Sequence, residues 1–167
     1  MKRLQIAVVI LLMAITVPSD ALNPTWAKTF KNNLWTIVDR HPAYYWGGYD
    51  NEKQGLDCSG YIFLAMKRSG VPVKRVSAFE MKHGLGGWIG KDIPLDDAEE
   101  LDIPFWDLQK SRPFGHVGAF IVGRETGLLE VTHSGSSTGV THHKLYGPFI
   151  RDMSAVRHLT IGDKKTK

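Results

Sequence analysis

The single sulfhydryl of the chain belongs to Cys58, set in Gly55-Leu56-Asp57-Cys58-Ser59-Gly60 just ahead of an apolar run with helical spacing. A thiol at the start of a helix lies among backbone N–H groups that have no intrahelical partner, at the positive end of the helix dipole. Both features are expected to favour thiolate. A nucleophile of this kind needs a base to take its proton and later protonate a leaving amine, and a third polar group to hold that base. Histidine suits the task because its ordinary pKa lies near neutrality. Seven are present: His41, His83, His116, His133, His142, His143 and His158.

Two of the seven are paired by simple geometry. His116 opens the β-rich run His116-Val117-Gly118-Ala119-Phe120-Ile121-Val122, and His133 closes Leu128-Leu129-Glu130-Val131-Thr132-His133, with a turn over Gly123 to Gly127 between them. In an antiparallel hairpin the start of one strand lies beside the end of the next, so base and orienting group are expected to be neighbours. The others read differently. His142 and His143 are adjacent and point to opposite faces of any strand. His41 ends a helix, where a cation suits the dipole. His83 falls in a loop, and His158 is a partly exposed residue of the last strand. Their positions make no recognisable metal-ligand spacing, so no metal and no cofactor are expected.

These groups must be carried by helices and strands legible on either side of them. Asn23-Pro24 supplies an N-cap and a proline at the first helical position, and Trp26, Phe30, Leu34, Ile37 and Val38 recur at helical spacing. A first helix is predicted to run to about Arg40, stopped by Pro42. Tyr44-Tyr45-Trp46-Gly47-Gly48 is an aromatic extended piece turning through two glycines. Asp57 caps a second helix whose apolar face uses Tyr61, Ile62, Ala65 and Met66 and which ends at Gly70. After the hairpin, Ser134 to Gly139 is a turn, Val140 to His142 a short strand, and Ala155 to Ile161 a closing strand. Helices first and an antiparallel sheet afterwards give an α+β domain. Between Val71 and Leu108 the pattern is weaker. Gly84 to Gly90, with Trp88, reads as a surface loop, and Leu101-Asp102-Ile103-Pro104-Phe105-Trp106 as a short strand interrupted by proline.

The first residues bear on what a lone cysteine means. Met1-Lys2-Arg3, the apolar run Ile6 to Ile15, Pro18, and small residues before a cut after Ala21 describe a secretory signal over residues 1–21. The run is short for a bilayer span, which disfavours the competing reading of an uncleaved anchor. Residues 22–167 then form one exported domain, periplasmic or extracellular. In an oxidising compartment structural cysteines come in pairs, so an unpaired one is either buried as a small hydrophobe or has a chemical use. Lys2, Arg3 and Asp20 leave with the signal, lowering the formal charge from +4 to +3. That mild basicity suits an anionic wall or membrane surface and is too small and dispersed for nucleic acid. Its densest piece, Lys164-Lys165-Thr166-Lys167, reads as a frayed terminus.

Tyr44-Tyr45-Trp46-Gly47-Gly48, Asp57-Cys58-Ser59-Gly60, Gly115-His116-Val117-Gly118, and Thr132-His133-Ser134 followed by Gly139-Val140 together resemble, in order, the motifs of the NlpC-type cell-wall peptidases, papain-like cysteine hydrolases of bacteria. Each piece alone is weak; the ordered set is specific. The resemblance implies a papain-like α+β fold with the nucleophile's helix packed on an antiparallel sheet. It matches Cys58 with the nucleophile, His116 with the general base, His133 with the group that orients it, and Tyr44 with the tyrosine that helps polarise the scissile carbonyl. Asp57 and Ser59 become substrate contacts, against an equally good reading as helix caps. The implied substrate is the stem peptide of peptidoglycan, cut at the γ-D-glutamyl–meso-diaminopimelate bond by a monomer. An N-acetylmuramoyl-L-alanine amidase, an acyltransferase on the same fold, or a catalytically silent wall-binding domain are the alternatives. Trp88 and Trp106 could line a groove, though core packing is the better reading. Two departures stand out. Leu101-Asp102-Ile103-Pro104 replaces the family's Gly-Asp-Leu turn, and the His116-to-His133 link is long, consistent with an enlarged turn around Arg124 to Gly127.

Overall fold

The computed structural model describes residues 24–87, 90–107 and 115–159. The proposed signal, Asn23, Trp88, residues 160–161 and the lysine-rich terminus lie outside them. Helix α1 spans Pro24–Arg40. Phe30, Leu34, Ile37 and Val38, one stripe of a 3.6-residue period, are its buried face. It stops where His41 takes φ 49° and donates its N–H to the carbonyls of Ile37 and Val38, immediately before Pro42.

Helix α2 spans Cys58–Arg68, with Cys58 through Met66 all buried. It packs between α1 and the sheet, and each large apolar side chain buried there contributes about 2 kcal/mol. Gly60 is forced by a crossing. A Cβ at this position would run into the carbonyl oxygen of Gly48, so the preceding loop lies directly on the helix's first turn. Helix α3 (Ala78–Lys82) begins with a capping box between Ser77 and Glu80, and α4 spans Gly147–Arg151.

Among the described residues the sheet has six strands: β1 (Gly90–Ile93), β2 (Ile103–Trp106), β3 (His116–Val122), β4 (Leu129–Gly135), β5 (Gly139–Lys144) and β6 (Met153–Leu159). Their order is β1-β6-β2-β3-β4-β5, every pair antiparallel. Alternation along β3 divides the core. Val117, Ala119 and Ile121 face the helices, while Phe120 joins Trp106, Val131 and Val156 in a second cluster on the other side, closed by Phe149, Leu145 and Met153.

Both long helices, the hairpin, and helix-on-sheet packing match the sequence reading. The corrections are local. Strand β5 runs to Lys144, and β6 begins earlier, at Met153. The segment read as a loop over Gly84 to Gly90 contains a 3-10 turn at Leu85–Gly87, and its last residue opens β1. Helices α3 and α4 are each five residues, too short to show a period. At the departure from the family turn, Leu101 holds φ 79°, and Asp102 accepts a hydrogen bond from the Glu99 N–H and pairs with His158 Nδ1 at 2.8 Å. Trp106 is buried in the second cluster and donates to the Phe149 carbonyl, as core packing requires. His83 caps α3, its Nδ1 2.7 Å from the Phe79 carbonyl.

Candidate active site

The thiol side of the site is organised by Asp57. As N-cap of α2 it accepts from the Gly60 N–H at 2.6 Å and the Ser59 hydroxyl at 2.9 Å through Oδ1. Through Oδ2 it accepts from the Gly47 N–H at 3.1 Å and from Arg75 at 2.7 Å. Its residue is 7% exposed. Both oxygens are therefore engaged inside the protein, and the Ser59 hydroxyl is turned into the same network. This is the capping arrangement, extended to tie the 44–48 turn and Arg75 to the helix start. A parallel bridge between Tyr44 and Leu56 closes the intervening loop.

The imidazole side is built by strand register. Gly118 stands opposite His133, so His116, two residues earlier on the same face, is the diagonal neighbour of His133. His116 Nε2 lies 2.9 Å from His133 Nδ1, with the rings edge to face. Trp106 flanks His116 at 5.5 Å between centroids, and Phe149 flanks His133 at 5.3 Å. For His116 to offer Nδ1 as an acceptor, its Nε2 must carry the proton and donate to His133. The His133 proton then sits at Nε2, a buried atom with no hydrogen-bond partner among the described residues.

Cys58, His116, His133 and Tyr44 all line one groove of about 780 Å³, with Trp46, the 134–138 turn, His143, Tyr146 and Phe149. A second arm of about 370 Å³ shares Tyr44, Trp46 and Cys58 and continues past Asp57, Ser59 and Arg75 toward Ser77. The structure thus brings together all six residues singled out in the sequence. It adds Arg75, whose chain position offered no cue, and His143. The cue for His143 was the register of the β4–β5 hairpin. His133 pairs with Thr141, and the next residue on that face is His143, whose ring lies 5.3 Å from that of His133. His142 points the other way, to Glu130 at 2.6 Å and the edge of Trp35.

The electrostatics overturn one expectation. Burial pushes the Cys58 thiol up to about 11, reinforced by the Asp57 carboxylate, while the amides of Val117 and Ser59 and the Arg75 guanidinium oppose it. The helix start does not prevail over desolvation, so the resting sulfur is a thiol. Burial likewise pushes His116 down to about 4, against the Asp57 charge. His133 falls to about 3 by burial, then by His116 and His143. The pair rests neutral, thiol with imidazole. Burial, then Cys58 and Asp57, raises Tyr44 to about 12, so its hydroxyl keeps its proton and can donate. Among the described residues no group of three or more Cys, His, Asp or Glu is arranged to hold a metal ion.

The sequence profile of the NlpC/P60 family matches residues 41–157, which include every residue of the site described above. A γ-D-glutamyl-L-lysine dipeptidyl-peptidase of Bacillus subtilis is 31% identical over 81 residues, 48% of this chain and 25% of that protein. A protein of Staphylococcus aureus, described as similar to lipoprotein and of the NLP/P60 family, superposes with TM-score 0.63 at 16% identity over 87% of this chain and 45% of its own. The P60 domain of an antigen from Mycobacterium avium subspecies paratuberculosis gives 0.55 at 21% identity, over 83% and 99%. The chain thus spans a quarter of the curated relative and under half of the staphylococcal protein, and the structural likenesses carry the fold alone.

Proposed function

Because the chain belongs to the NlpC/P60 family, we propose that it is a cysteine peptidase of the bacterial cell wall, cutting peptidoglycan stem peptides at the amide between γ-linked D-glutamate and the diamino acid that follows. The observation that carries this reading is a histidine pair bonded at 2.9 Å in the groove that Cys58 lines. The leader-like residues 1–21 support export to the compartment where that substrate lies.

In this reading His116 takes the thiol proton as the sulfur attacks the amide carbon, so charge is created only during attack. The oxyanion receives hydrogen bonds from the Tyr44 hydroxyl and the Cys58 N–H. Collapse breaks the carbon–nitrogen bond, and the His116 proton passes to the departing amine. A water then attacks the thioester, giving its proton to His116, and the thiol is regenerated with release of the acid. His133 acts through His116, fixing its tautomer and ring orientation. Asp57 and Ser59 hold the helix start and border the arm that receives the acyl half.

The test is digestion of purified peptidoglycan followed by mass spectrometry of the fragments. The wild type is expected to release new N-terminal diamino acid residues, and Cys58→Ala to release none. Unchanged digestion by that variant would remove Cys58 as nucleophile, and fragments severed at the sugar–alanine bond would make the protein an amidase.

A further inference from the structure

The two arms of the groove are chemically unlike, and the mechanism assigns them. The imidazole that protonates the leaving nitrogen lines the larger arm and not the smaller, so the departing half of the substrate lies in the larger arm. Among the described residues lining that arm there is no Lys, Arg, Asp or Glu. Its far wall is aromatic. His143 stacks on Phe149 at 5.4 Å with 28° between planes, and Tyr146 meets Phe149 edge-on at 5.4 Å, itself 52% exposed. His116 is committed to the thiol and His133 is 6% exposed, which leaves half-buried His143 as the one imidazole of this arm whose charge a substrate can meet.

Resting on the peptidase reading, we propose that His143 reads the charge of the leaving amino acid. While the imidazole is neutral, it forms with Phe149 and Tyr146 an aromatic wall that favours a lysine side chain ending in ammonium; once protonated, it shifts preference to a diaminopimelate side chain, which adds a carboxylate. An aromatic face attracts an ammonium, whereas an imidazolium repels it and pairs with a carboxylate. Around His143 stand His142 and Lys144 on its own strand, His133 and Glu130 on β4, Tyr146 in the following turn, and on α4 the uncharged ring of Phe149. Burial, then His142, holds the ring below the ordinary histidine range, with Glu130 opposing. Its charge is therefore gained only below the ordinary histidine range, so the diaminopimelate-to-lysine preference rises as pH falls.

The experiment compares kcat/KM for L-Ala-γ-D-Glu-L-Lys and L-Ala-γ-D-Glu-meso-diaminopimelate between about pH 7.5 and about pH 5, where neither leaving side chain titrates. Taking the ratio at each pH cancels the titrations of Cys58 and His116, which both substrates share. In the wild type the diaminopimelate-to-lysine ratio is expected to rise about fivefold toward acid, the scale of one partly exposed ion pair. In His143→Phe and His143→Gln it is expected to stay flat, circular dichroism showing which variant is folded. A flat wild-type ratio, or a rise that survives in a folded variant, overturns the inference while cleavage leaves the peptidase reading standing. Failure of the wild type to cut either peptide overturns both.

Discussion

The two banks of the groove are held by different physics. On the thiol bank, Asp57 accepts from two backbone amides, a hydroxyl and a guanidinium. On the imidazole bank the side-chain contacts are mostly ring against ring, with one imidazole–imidazole hydrogen bond and one from Trp106 to the Phe149 carbonyl. Directional bonds fix the nucleophile, and shape fixes the base. Damage to the first bank should therefore appear mainly as lost stability, and damage to the second as lost alignment.

The largest effect expected is chemical and belongs to neither scaffold. Cys58→Ala should lower the rate by at least about 10⁴-fold with the unfolding midpoint little moved, measured by muropeptide release beside thermal denaturation. Asp57→Ala comes next and should break the first bank. It removes the cap and leaves Arg75, 23% exposed, without its carboxylate, for a loss of about 3 kcal/mol in urea unfolding. A loss below about 1 kcal/mol would deny Asp57 that role. Phe149→Ala should break the second bank. About tenfold is expected in kcat, because His133 and His143 lose the ring that flanks them, with a stability cost near 2 kcal/mol since the side chain is only partly buried.

Acidity sharpens the same contrast. The folded-state pKa values of His116 and His133 lie below the ordinary value of 6.5, at about 4 and about 3. A depressed group contributes stability that is present above the unfolded pKa. That contribution is lost as pH falls from 6.5 through the folded values, because only the unfolded chain protonates freely. Urea unfolding against pH should show the decline, and His116→Gln should lessen it. The neutral resting pair has a kinetic counterpart. With the thiol near 11, alkylation of Cys58 by iodoacetamide at neutral pH should be at least about tenfold slower than that of a free cysteine, rising steadily into alkali. Fast alkylation at neutrality would mean a preformed thiolate.

What the sequence made legible was whatever depends on neighbours along the chain. The α1 stripe, the Asp57 cap and the Pro42 stop are local, and all three lie where the periodicity placed them. The His116–His133 meeting was also local in effect, because one hairpin turn sets its register. What escaped depends on distant packing. The protonation of Cys58 is decided by burial among α2, β3 and the 44–57 loop, which outweighs the helix terminus that sequence alone displays. Arg75 reaches Asp57 across 18 residues with no spacing to announce it. Strand β1 is four residues whose pairing partner, β6, lies about sixty residues on as the last described strand, so nothing nearby marks it. Adjacency alone puts His142 and His143 on opposite faces, but only the β4–β5 register, carried one step past His133–Thr141, says that His143 is the one beside His133.

The crossing at Gly48 and Gly60 bears on how this chemistry could be moved between proteins. Since the strand-like loop rests on the first turn of α2 with no space for a side chain, the four residues Asp57 to Gly60 answer four separate demands: anchor, reactivity, anchor, clearance. Transplanting the helix alone into another scaffold would leave behind the turn that Asp57 anchors and the tyrosine that borders the thiol. The transferable module is residues 42–68 as one piece, because the tyrosine, the nucleophile and the surface that seats them arrive together or not at all.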